Sequence, residues 1–372
     1  MESADAPLRV LILFTEVFAN GGIQRFNQTM LDACVLLGID CQVLSLNDTP
    51  AAVEAGRSKF SVKGFSGNRR QFALAVAGAF VRDPYDWVLV GHVNFITLAV
   101  AVLTLLPFHR AKTILIAHGI EVWSGLHRVR RYALSRVYRV LCVSRYTRQR
   151  ILEQAPALAA DRLLIFPNAF ADTWAHVVPV ACRSASARFI LSVTRLERGD
   201  RYKGIASVIE AFSMLTDESI QYFIIGHGKD MPFLQLVAAR CGVTERVHFL
   251  GGISDAELIA LYENCEAFVL PSGKEGFGIV FLEAMFFGAP VIAASEKGAS
   301  EVVRNEDTGL SVRYGDTIAI KEAIERLGSD AALRERVCAN GHAMVSEGGI
   351  FTFQRFANRC AEVFGLVETS AL

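Results

Sequence analysis

The chain has 372 residues, of which 52% are hydrophobic and 20% charged, and its formal net charge is zero. This length suits two domains better than one core, and the apolar composition is typical of α/β proteins with buried parallel sheets. Residues 1–170 hold 19 Lys and Arg against 12 Asp and Glu, which predicts either a basic face on the first half or an ordinary solvated surface. No nucleic-acid-binding motif accompanies these charges, so we expect no nucleic-acid partner.

The cysteines and the apolar runs indicate in which cellular compartment the protein works. The eight cysteines form no C-x-x-C pair, as is usual for buried thiols in a reducing compartment. The first apolar run, residues 10–14, is too short for a signal peptide. Residues 87–108 lack Asp, Glu, Lys and Arg and are long enough for a membrane span, but Gly91, His92 and Asn94 interrupt them, which favours a strand and then a buried helix. We therefore expect a cytoplasmic protein.

The first half alternates strand and helix patterns, which predicts a parallel, doubly wound sheet. Gly21 and Gly22 stand between the first strand and the first helix, and such a double glycine makes a pocket for a phosphate or a sugar. A tight turn that needs positive φ is the alternative. Strands are predicted at 9–14, 41–46, 58–62, 87–92, 112–117, 139–143 and 162–166, and helices at 24–37, 68–82, 95–106, 126–137 and 145–154.

A histidine ends one of these strands. His118 follows the strand at 112–117 and precedes Gly119. Open α/β sheets place their ligands at the carboxyl ends of strands, and a neutral imidazole there can hydrogen-bond a sugar hydroxyl. A purely structural histidine is the alternative.

Residues 127–139 form a basic segment that carries five arginines among Val, Leu and Tyr side chains. This pattern predicts a basic amphipathic helix, which suits an anionic acceptor or the peripheral surface of a membrane. A helix that is merely solvated on its charged face is the alternative.

Residues 169–187 show no periodicity and are expected to link the first half to a second alternation of strands and helices. Within it, Ser254 and Glu257 form a capping box, which supports a helix start at that point. Strands are predicted at 188–194, 220–226, 246–250, 267–271, 290–294 and 308–312, and helices at 204–214, 231–240, 254–265, 279–287, 317–327, 331–346 and 351–367.

Two basic residues, Arg195 and Lys203, flank the first strand–helix crossover of the second half. Fixed cations there would stabilise the negative charge on a leaving diphosphate. Two solvated basic residues in a polar loop are the alternative. Arg198 and Arg201 lie between them and could take the place of Arg195.

The most informative stretch is E-G-F-G-I-V-F-L-E at 275–283, which follows a buried strand and opens a helix. Free N–H groups at such a helix start favour an anion. The carboxylates of Glu275 and Glu283 can each bind ligand hydroxyls. The alternative is that Glu275 caps the helix and Glu283 lies on a solvated face.

Together these motifs resemble retaining glycosyltransferases with the GT-B fold, family 4 in particular. The resemblance rests on E-G-F-G-x-x-x-x-E, the R-x(n)-K-G feature at 195–204, G-H-G at 226–228, His118-Gly119 and Phe166-Pro167-Asn168. It implies two Rossmann-like domains that face each other across a cleft. Residues 1–170 would form the acceptor-side domain, 171–350 the nucleotide-sugar-binding domain, and 351–372 a C-terminal helix that returns to the first domain.

The resemblance also implies residue roles. Arg195 and Lys203 would take the diphosphate, Glu275 the sugar and Glu283 the ribose, with His118 on the donor sugar. The remaining donor-binding positions would be Gly21, Gly22, Gly226, Gly228, Gly276, Phe277, Gly278 and Ile279. The donor is a nucleotide sugar, with UDP and GDP both open, and the acceptor is a glycan or lipid-linked hydroxyl in polysaccharide, lipopolysaccharide or glycolipid biosynthesis.

Neither a metal nor a further cofactor is expected. No D-x-D occurs in the sequence, and in the family the fixed cations stand in for a metal. Two alternatives share the architecture, a sugar-nucleotide epimerase and a glycan phosphorylase, although no pyridoxal phosphate lysine is apparent. A third alternative is a non-catalytic two-lobed sugar-binding protein.

Overall fold

The computed structural model describes residues 7–56, 60–106, 110–170, 174 and 188–367. The chain divides into two compact units, one formed by Met1–Ala169 with Phe353–Leu372 and the other by Phe170–Thr352. Most of the expected linker at 169–187 lies outside the described residues.

The first unit contains a seven-stranded parallel sheet. Its strands are β1 (Arg9–Phe14), β2 (Asp40–Ser45), β3 (Ser61–Gly64), β4 (Trp87–Val90), β5 (Lys112–Ala117), β6 (Arg139–Cys142) and β7 (Leu163–Ile165). They lie side by side in the order β3-β2-β1-β4-β5-β6-β7, so the order reverses between β1 and β4. Every neighbouring pair is parallel, which confirms the expected doubly wound sheet.

Helices connect these strands as the βα alternation requires. The apolar residues of β1, β4 and β5 are buried between the helical layers, which is why these strands contain almost continuous apolar runs. The helices are α1 (Gly22–Leu36), α2 (Pro50–Ala55), α3 (Arg69–Arg82), α4 (Ile96–Leu105), α5 (Ile120–Trp123), α6 (Arg128–Arg136) and α7 (Arg145–Gln154).

The second unit contains a six-stranded parallel sheet in the order β10-β9-β8-β11-β12-β13. Its strand order reverses between β8 and β11, which are hydrogen-bonded neighbours. The strands are β8 (Phe189–Val193), β9 (Gln221–Ile225), β10 (Val247–Gly251), β11 (Ala267–Leu270), β12 (Val291–Ala294) and β13 (Leu310–Val312). The helices are α8 (Ile205–Ser213), α9 (Met231–Arg240), α10 (Asp255–Asn264), α11 (Ile279–Phe286), α12 (Thr317–Ser329) and α13 (Ala331–Val345).

The last helix, α14 (Phe353–Phe364), belongs to the first unit. Phe356 packs edge-on against Phe26 and Phe166, with ring centroids 5.4 and 4.9 Å apart. Phe364 packs against Trp87 at 5.9 Å. This packing confirms the expected return of the C-terminal helix to the first Rossmann-like unit.

Several local expectations were confirmed and others were wrong. Residues 87–105 form strand β4, a 3₁₀ turn and helix α4, while residues 107 and 108 of the apolar run lie outside the described ranges. No helix in the described ranges is both long and apolar enough to cross a membrane. The capping box of Ser254 and Glu257 is formed. Helix α1 begins at Gly22, earlier than expected, with Gly21 at its N-cap position.

Short elements were not predicted. Helices α2 and α5 have six and four residues, too few to show a helical period. A 3₁₀ helix at Arg198–Lys203 stands where a loop was expected.

Candidate functional site

The strand order of each unit indicates the position at which a ligand is expected to bind. In open α/β sheets, ligands bind at the carboxyl ends of the strands, at the point where the order reverses. In the second unit this point is β8/β11, and the loops that follow these strands hold residues 194–204 and 271–278. In the first unit it is β1/β4, and the loop after β1 holds Gly21.

In the second unit, Lys203 and Glu275 form an ion pair. Lys203 Nζ donates to Glu275 Oε2 at 2.7 Å, across 72 residues of sequence. The side chains are only 17% and 14% exposed, so the pair is largely shielded from water. A charge-assisted hydrogen bond in such surroundings fixes both groups in position. Two residues predicted from separate motifs are therefore neighbours in one unit.

Backbone contacts hold Lys203 in this place. Gly204, which ends the 3₁₀ helix, has φ of +80°, and a Cβ there would lie 2.7 Å from the carbonyl oxygen of Pro271. The N–H of Gly273 donates to the carbonyl of Tyr202 at 2.7 Å. The loop after β8 therefore lies directly against the loop after β11.

Two other basic residues of this loop have acidic partners. Arg201 donates to both oxygens of the buried Asp230 and stacks over Phe233, 4.0 Å from the ring centroid. Arg195 is 68% exposed, and its Nη2 lies 3.3 Å from Asp200. Arg201 is thus held on Asp230, whereas Arg195 and Arg198 are both exposed, and Arg198 forms no hydrogen bond or ion pair with another described residue.

Tyr202 and Asp200 were not expected at this site. The Tyr202 hydroxyl donates to Asp200 Oδ1 at 2.9 Å, and burial raises the pKa of Tyr202 above its usual value. Asp200 therefore joins Tyr202 to Arg195. The short charged run around them has no period, so no sequence pattern reveals this contact.

Glu283 lies inside helix α11 and is 3% exposed. The Tyr262 hydroxyl donates to Glu283 Oε2 at 3.2 Å. The alternative of a solvated Glu283 is therefore wrong. The N-cap of α11 is Gly278, with no side-chain cap, so the alternative that Glu275 caps the helix is wrong too.

The glycine loop before α11 has a backbone that side chains would not tolerate. Gly278 has φ of +96°, and a Cβ there would lie 2.3 Å from the ring of Phe281. Within the described part of the chain, no hydrogen bond uses the backbone N–H of Phe277, Gly278 or Ile279. These N–H groups are available to an anion or to sugar oxygens.

The backbone around Gly276 is contacted by Lys297 and Gly298, which the sequence analysis did not identify. Gly298 N–H donates to the carbonyl of Glu275 at 3.0 Å, and a Cβ on Gly298 would lie 2.0 Å from the carbonyl oxygen of Gly276. Lys297 has φ of +63°, and its Nζ donates to the carbonyl of Gly273. Lys-Gly after a buried strand is the only signal in the sequence that could have drawn attention to them.

Gly226 and Gly228 lie too close to neighbouring backbone atoms to carry a side chain. A Cβ on Gly226 would lie 1.8 Å from the carbonyl oxygen of Thr194, and one on Gly228 would lie 2.0 Å from that of Leu196. The N–H of Leu196 donates to the carbonyl of His227 at 2.8 Å. This packing supports the loop that carries Arg195 and accounts for both glycines without a ligand.

In the first unit, Gly21 and Gly22 lie at the start of α1, which no side chain caps. Buried Asp48 shapes the preceding loop, because it accepts from the N–H of Val17 at 2.7 Å and from the Ser45 hydroxyl. Asp48 was not predicted. It follows β2, where a carboxylate can accept hydrogen bonds from the loop after the neighbouring β1.

His118 lies at the carboxyl end of β5 in the first unit. Burial lowers its pKa to about 3, so the imidazole is neutral at neutral pH. Nε2 lies 3.0 Å from the carbonyl oxygen of Gly91, so Nε2 carries the proton and Nδ1 is left as an acceptor. Glu121 accepts from the N–H of His118 at 2.7 Å, and burial raises the pKa of this carboxyl.

The basic segment at 127–139 forms helix α6 and then enters β6. Ala133 and Leu134 face the interior, whereas Val129 and Tyr132 are 58% and 60% exposed. Arg130 donates to Asn94 at 2.7 Å. The helix is amphipathic as expected, with apolar side chains among the exposed cations. No group of three metal-ligating side chains occurs among the residues that the structure describes.

Two protein-family models match this chain. The model described as glycosyl transferases group 1 matches residues 184–344, and the model described as glycosyltransferase family 4 matches residues 20–172. They cover the two units in turn.

Individual proteins agree. A GDP-mannose-dependent α-(1-6)-phosphatidylinositol monomannoside mannosyltransferase of Mycobacterium tuberculosis is 32% identical over 61% of this chain and 62% of its own length. A lipopolysaccharide core biosynthesis glycosyltransferase of Rhizobium meliloti, LpsE, is 31% identical over 42% of this chain and 44% of its own length. The aligned part therefore spans less than two thirds of these relatives.

The fold also has solved counterparts. The crystal structure of HepE from Anabaena, in complex with UDP and glucose, aligns with a TM-score of 0.79 at 19% identity, covering 96% of this chain and 99% of that one. This likeness shows the fold. With the two family matches and the motif residues at the strand ends, it identifies the chain as a member of the GT-B glycosyltransferases of family 4.

Proposed function

We propose that the protein is a retaining hexosyltransferase. It moves a sugar from a nucleoside diphosphate sugar to a hydroxyl of a glycan or lipid-linked acceptor, in the biosynthesis of a polysaccharide, lipopolysaccharide or glycolipid. The observation that carries the proposal is the shielded contact of Lys203 with Glu275 beside a glycine loop with unused N–H groups. This arrangement combines a fixed cation, a carboxylate that can accept hydrogen bonds from hydroxyls, and backbone N–H groups that can bind an anion.

The cations act on the leaving group. As the bond to the anomeric carbon breaks, negative charge grows on the β-phosphate, and a preorganised cation stabilises that charge most in the transition state. Lys203 supplies a point charge that is already fixed, and Arg195 supplies a planar fork that is exposed and able to reach a ligand. The reaction proposed here is metal-independent, because these side chains supply the charge that a metal would provide.

The carboxylates hold the donor. Glu283, buried and oriented by Tyr262, is assigned to the ribose hydroxyls. Glu275 is assigned to the hydroxyls of the sugar. The N–H groups of Phe277, Gly278 and Ile279 are assigned to the sugar and the diphosphate.

The first unit contributes neutral groups. The backbone N–H groups at Gly21 and Gly22 are assigned to phosphate oxygens or hydroxyls of the donor, and the acceptor Nδ1 of His118 is assigned to a hydroxyl of the donor. With a pKa of about 3, His118 is a poor base at neutral pH. This supports transfer on the face of the leaving group, where the departing phosphate accepts the proton of the acceptor hydroxyl.

The test is a panel of UDP- and GDP-sugars. Donors are first screened by thermal shift, and the release of nucleoside diphosphate and the anomeric configuration of the product are then followed by NMR. A retained configuration with one donor family supports the proposal. An inverted product, an epimerised donor, phosphate-dependent cleavage or binding without turnover would each replace it with a different activity. Glu283→Gln serves as the donor-site control.

We further propose that helix α6 lets the enzyme work at the inner surface of the membrane. Exposed Arg128 and Arg131 flank exposed Val129 and Tyr132, as in helices that lie in the lipid interface. Each basic residue near an anionic surface contributes about 1 kcal/mol. Co-sedimentation with anionic vesicles should fall for Arg128→Ala/Arg131→Ala and stay unchanged for Arg70→Ala on α3. Binding that ignores both anionic lipid and the α6 variant would contradict the proposal.

A further inference from the structure

A separate cavity lies in the first unit, where β5 and β6 begin. Its volume is about 530 Å³, within the range of small-molecule sites, roughly 300–1,000 Å³. Helix α4 forms an apolar wall with Val100 and Leu103. The basic side chains that line it are Lys112, Arg136, Arg139 and Arg162.

The charge of this cavity is strongly one-sided. Four cations line it, and Asp161 is the one acidic residue among its described lining. Across the described ranges, none of the four cations takes part in a recorded ion pair. A concave surface with clustered, unneutralised cations attracts an anion.

Lys112 and Arg162 are held by groups that do not cancel their charge. Lys112 Nζ lies 5.1 Å from the Trp87 ring centroid and 4.9 Å from that of Tyr138. Arg162 donates to the carbonyl of Ser135 at 3.2 Å, in the last turn of α6. Such contacts orient a cation while leaving its positive charge available.

This cavity is remote from the predicted donor residue of the same strand. Lys112 begins β5, and His118 follows its last residue. At about 3.3 Å per residue, the two positions lie roughly 20 Å apart. A ligand in the cavity therefore does not react at His118, and its binding is independent of the proposed function.

We propose that this cavity is a binding site for a phosphate monoester or diester. Three guanidinium groups present planar forks that match phosphate oxygens, and Lys112 adds a point charge. The wall of Val100 and Leu103 gives an apolar substituent of the ester a place to pack. A soluble phosphate ester and the head group of an anionic lipid share this chemistry.

The experiment compares two probes, glycerol 3-phosphate in calorimetric titration and phosphatidic acid in phosphatidylcholine vesicles, both without a nucleotide sugar. The test variant is Lys112→Gln/Arg136→Gln. The controls are Arg145→Gln on α7 and Arg70→Gln on α3, both outside the cavity lining and outside α6. Circular dichroism and thermal melts verify that each variant is folded, and if the double variant is not, Arg136→Gln alone is used.

We expect saturable binding to at least one probe, weakened at least about tenfold in the cavity variant and unchanged in both controls. Binding of glycerol 3-phosphate identifies a soluble ester as the ligand class. Binding to vesicles alone, still lost in the cavity variant, identifies a lipid head group. If neither probe binds, or if the cavity variant binds as tightly as the controls, the cavity is not a phosphate site.

Discussion

The loops at the strand ends of the two units differ in their charged groups. The loop after β1 in the first unit is shaped by the buried carboxylate of Asp48, and its neighbour at the end of β5 is the neutral His118. The loops after β8 and β11 in the second unit carry ion pairs, Lys203 with Glu275 and Arg195 with Asp200. The loop after β1 and the loops after β8 and β11 stand where the strand order of their own sheet reverses, and His118 ends the strand next to β4.

This difference assigns neutral binding groups to the first unit and fixed charges to the second. Neutral groups bind hydroxyls at little electrostatic cost, whereas fixed charges are most useful where charge changes during a reaction. We therefore predict that charge removal in the second unit reduces turnover, while changes at His118 affect mainly stability and binding.

Lys203→Ala should show the largest effect. Losing one contact to a charge that develops in the transition state typically costs about 3 kcal/mol, or roughly a hundredfold in rate. We expect kcat to fall more than the donor KM rises, measured by nucleoside diphosphate release at saturating donor. Arg240→Ala, which removes one exposed positive charge from α9 in the same unit, should be nearly normal.

Near-wild-type turnover of Lys203→Ala would break the contrast between the units. If Arg195→Ala were also active, the diphosphate site would be misassigned. A folded Lys203→Arg variant separates charge from geometry, because a guanidinium keeps the charge but cannot reproduce the compact contact with Glu275.

Glu283→Gln should act on binding. The amide keeps the volume of the buried side chain but replaces a carboxylate oxygen with a donor group, so hydrogen bonds from ribose hydroxyls are lost. Because ribose contacts hardly change during transfer, we expect the donor KM to rise about tenfold with kcat nearly unchanged. Tyr262→Phe keeps the carboxylate and removes only the hydroxyl that orients it, so it should raise KM less. A loss confined to kcat in Glu283→Gln would contradict the assignment.

Sequence patterns were sufficient for the fold, but they did not reveal the charged side chains of Asp48, Asp200 and Lys297. Continuous apolar runs with helical periods between them predicted both parallel sheets, because burial on two faces leaves a strong one-dimensional signal. Contacts such as Gly298 with Glu275 had no such signal. They join loops that are distant in sequence and depend on backbone geometry, which composition does not encode.

The spacing between Arg195 and Lys203 shows the same limit. The sequence left Arg198 and Arg201 as competitors, and only the structure shows that Arg201 is held by Asp230 and Phe233. The six-residue 3₁₀ helix that creates this arrangement is too short and too polar to be read from periodicity.

His118 should make stability depend on pH. Its pKa falls from 6.5 to about 3 on folding because burial disfavours the charged ring. The unfolded chain therefore binds more protons between these values, and stability is lost as pH falls below 6.5, by at most about 1.4 kcal/mol per pH unit from this group. Denaturant titrations at pH 7 and pH 5 should show a smaller loss for His118→Gln than for the wild type. Equal losses would indicate that the imidazole is solvated.

Removal of metal ions should change the transfer rate least of all. It is also the most direct test of the central claim, which is that fixed side-chain cations of the second unit stabilise the leaving diphosphate. The rate of sugar transfer should be measured at saturating donor after exhaustive treatment with excess EDTA, beside an untreated sample and samples resupplied with magnesium or manganese. We predict the same rate in all of these samples, within about twofold, with Lys203→Ala equally impaired in each. Loss of activity in EDTA that either metal restores would contradict it.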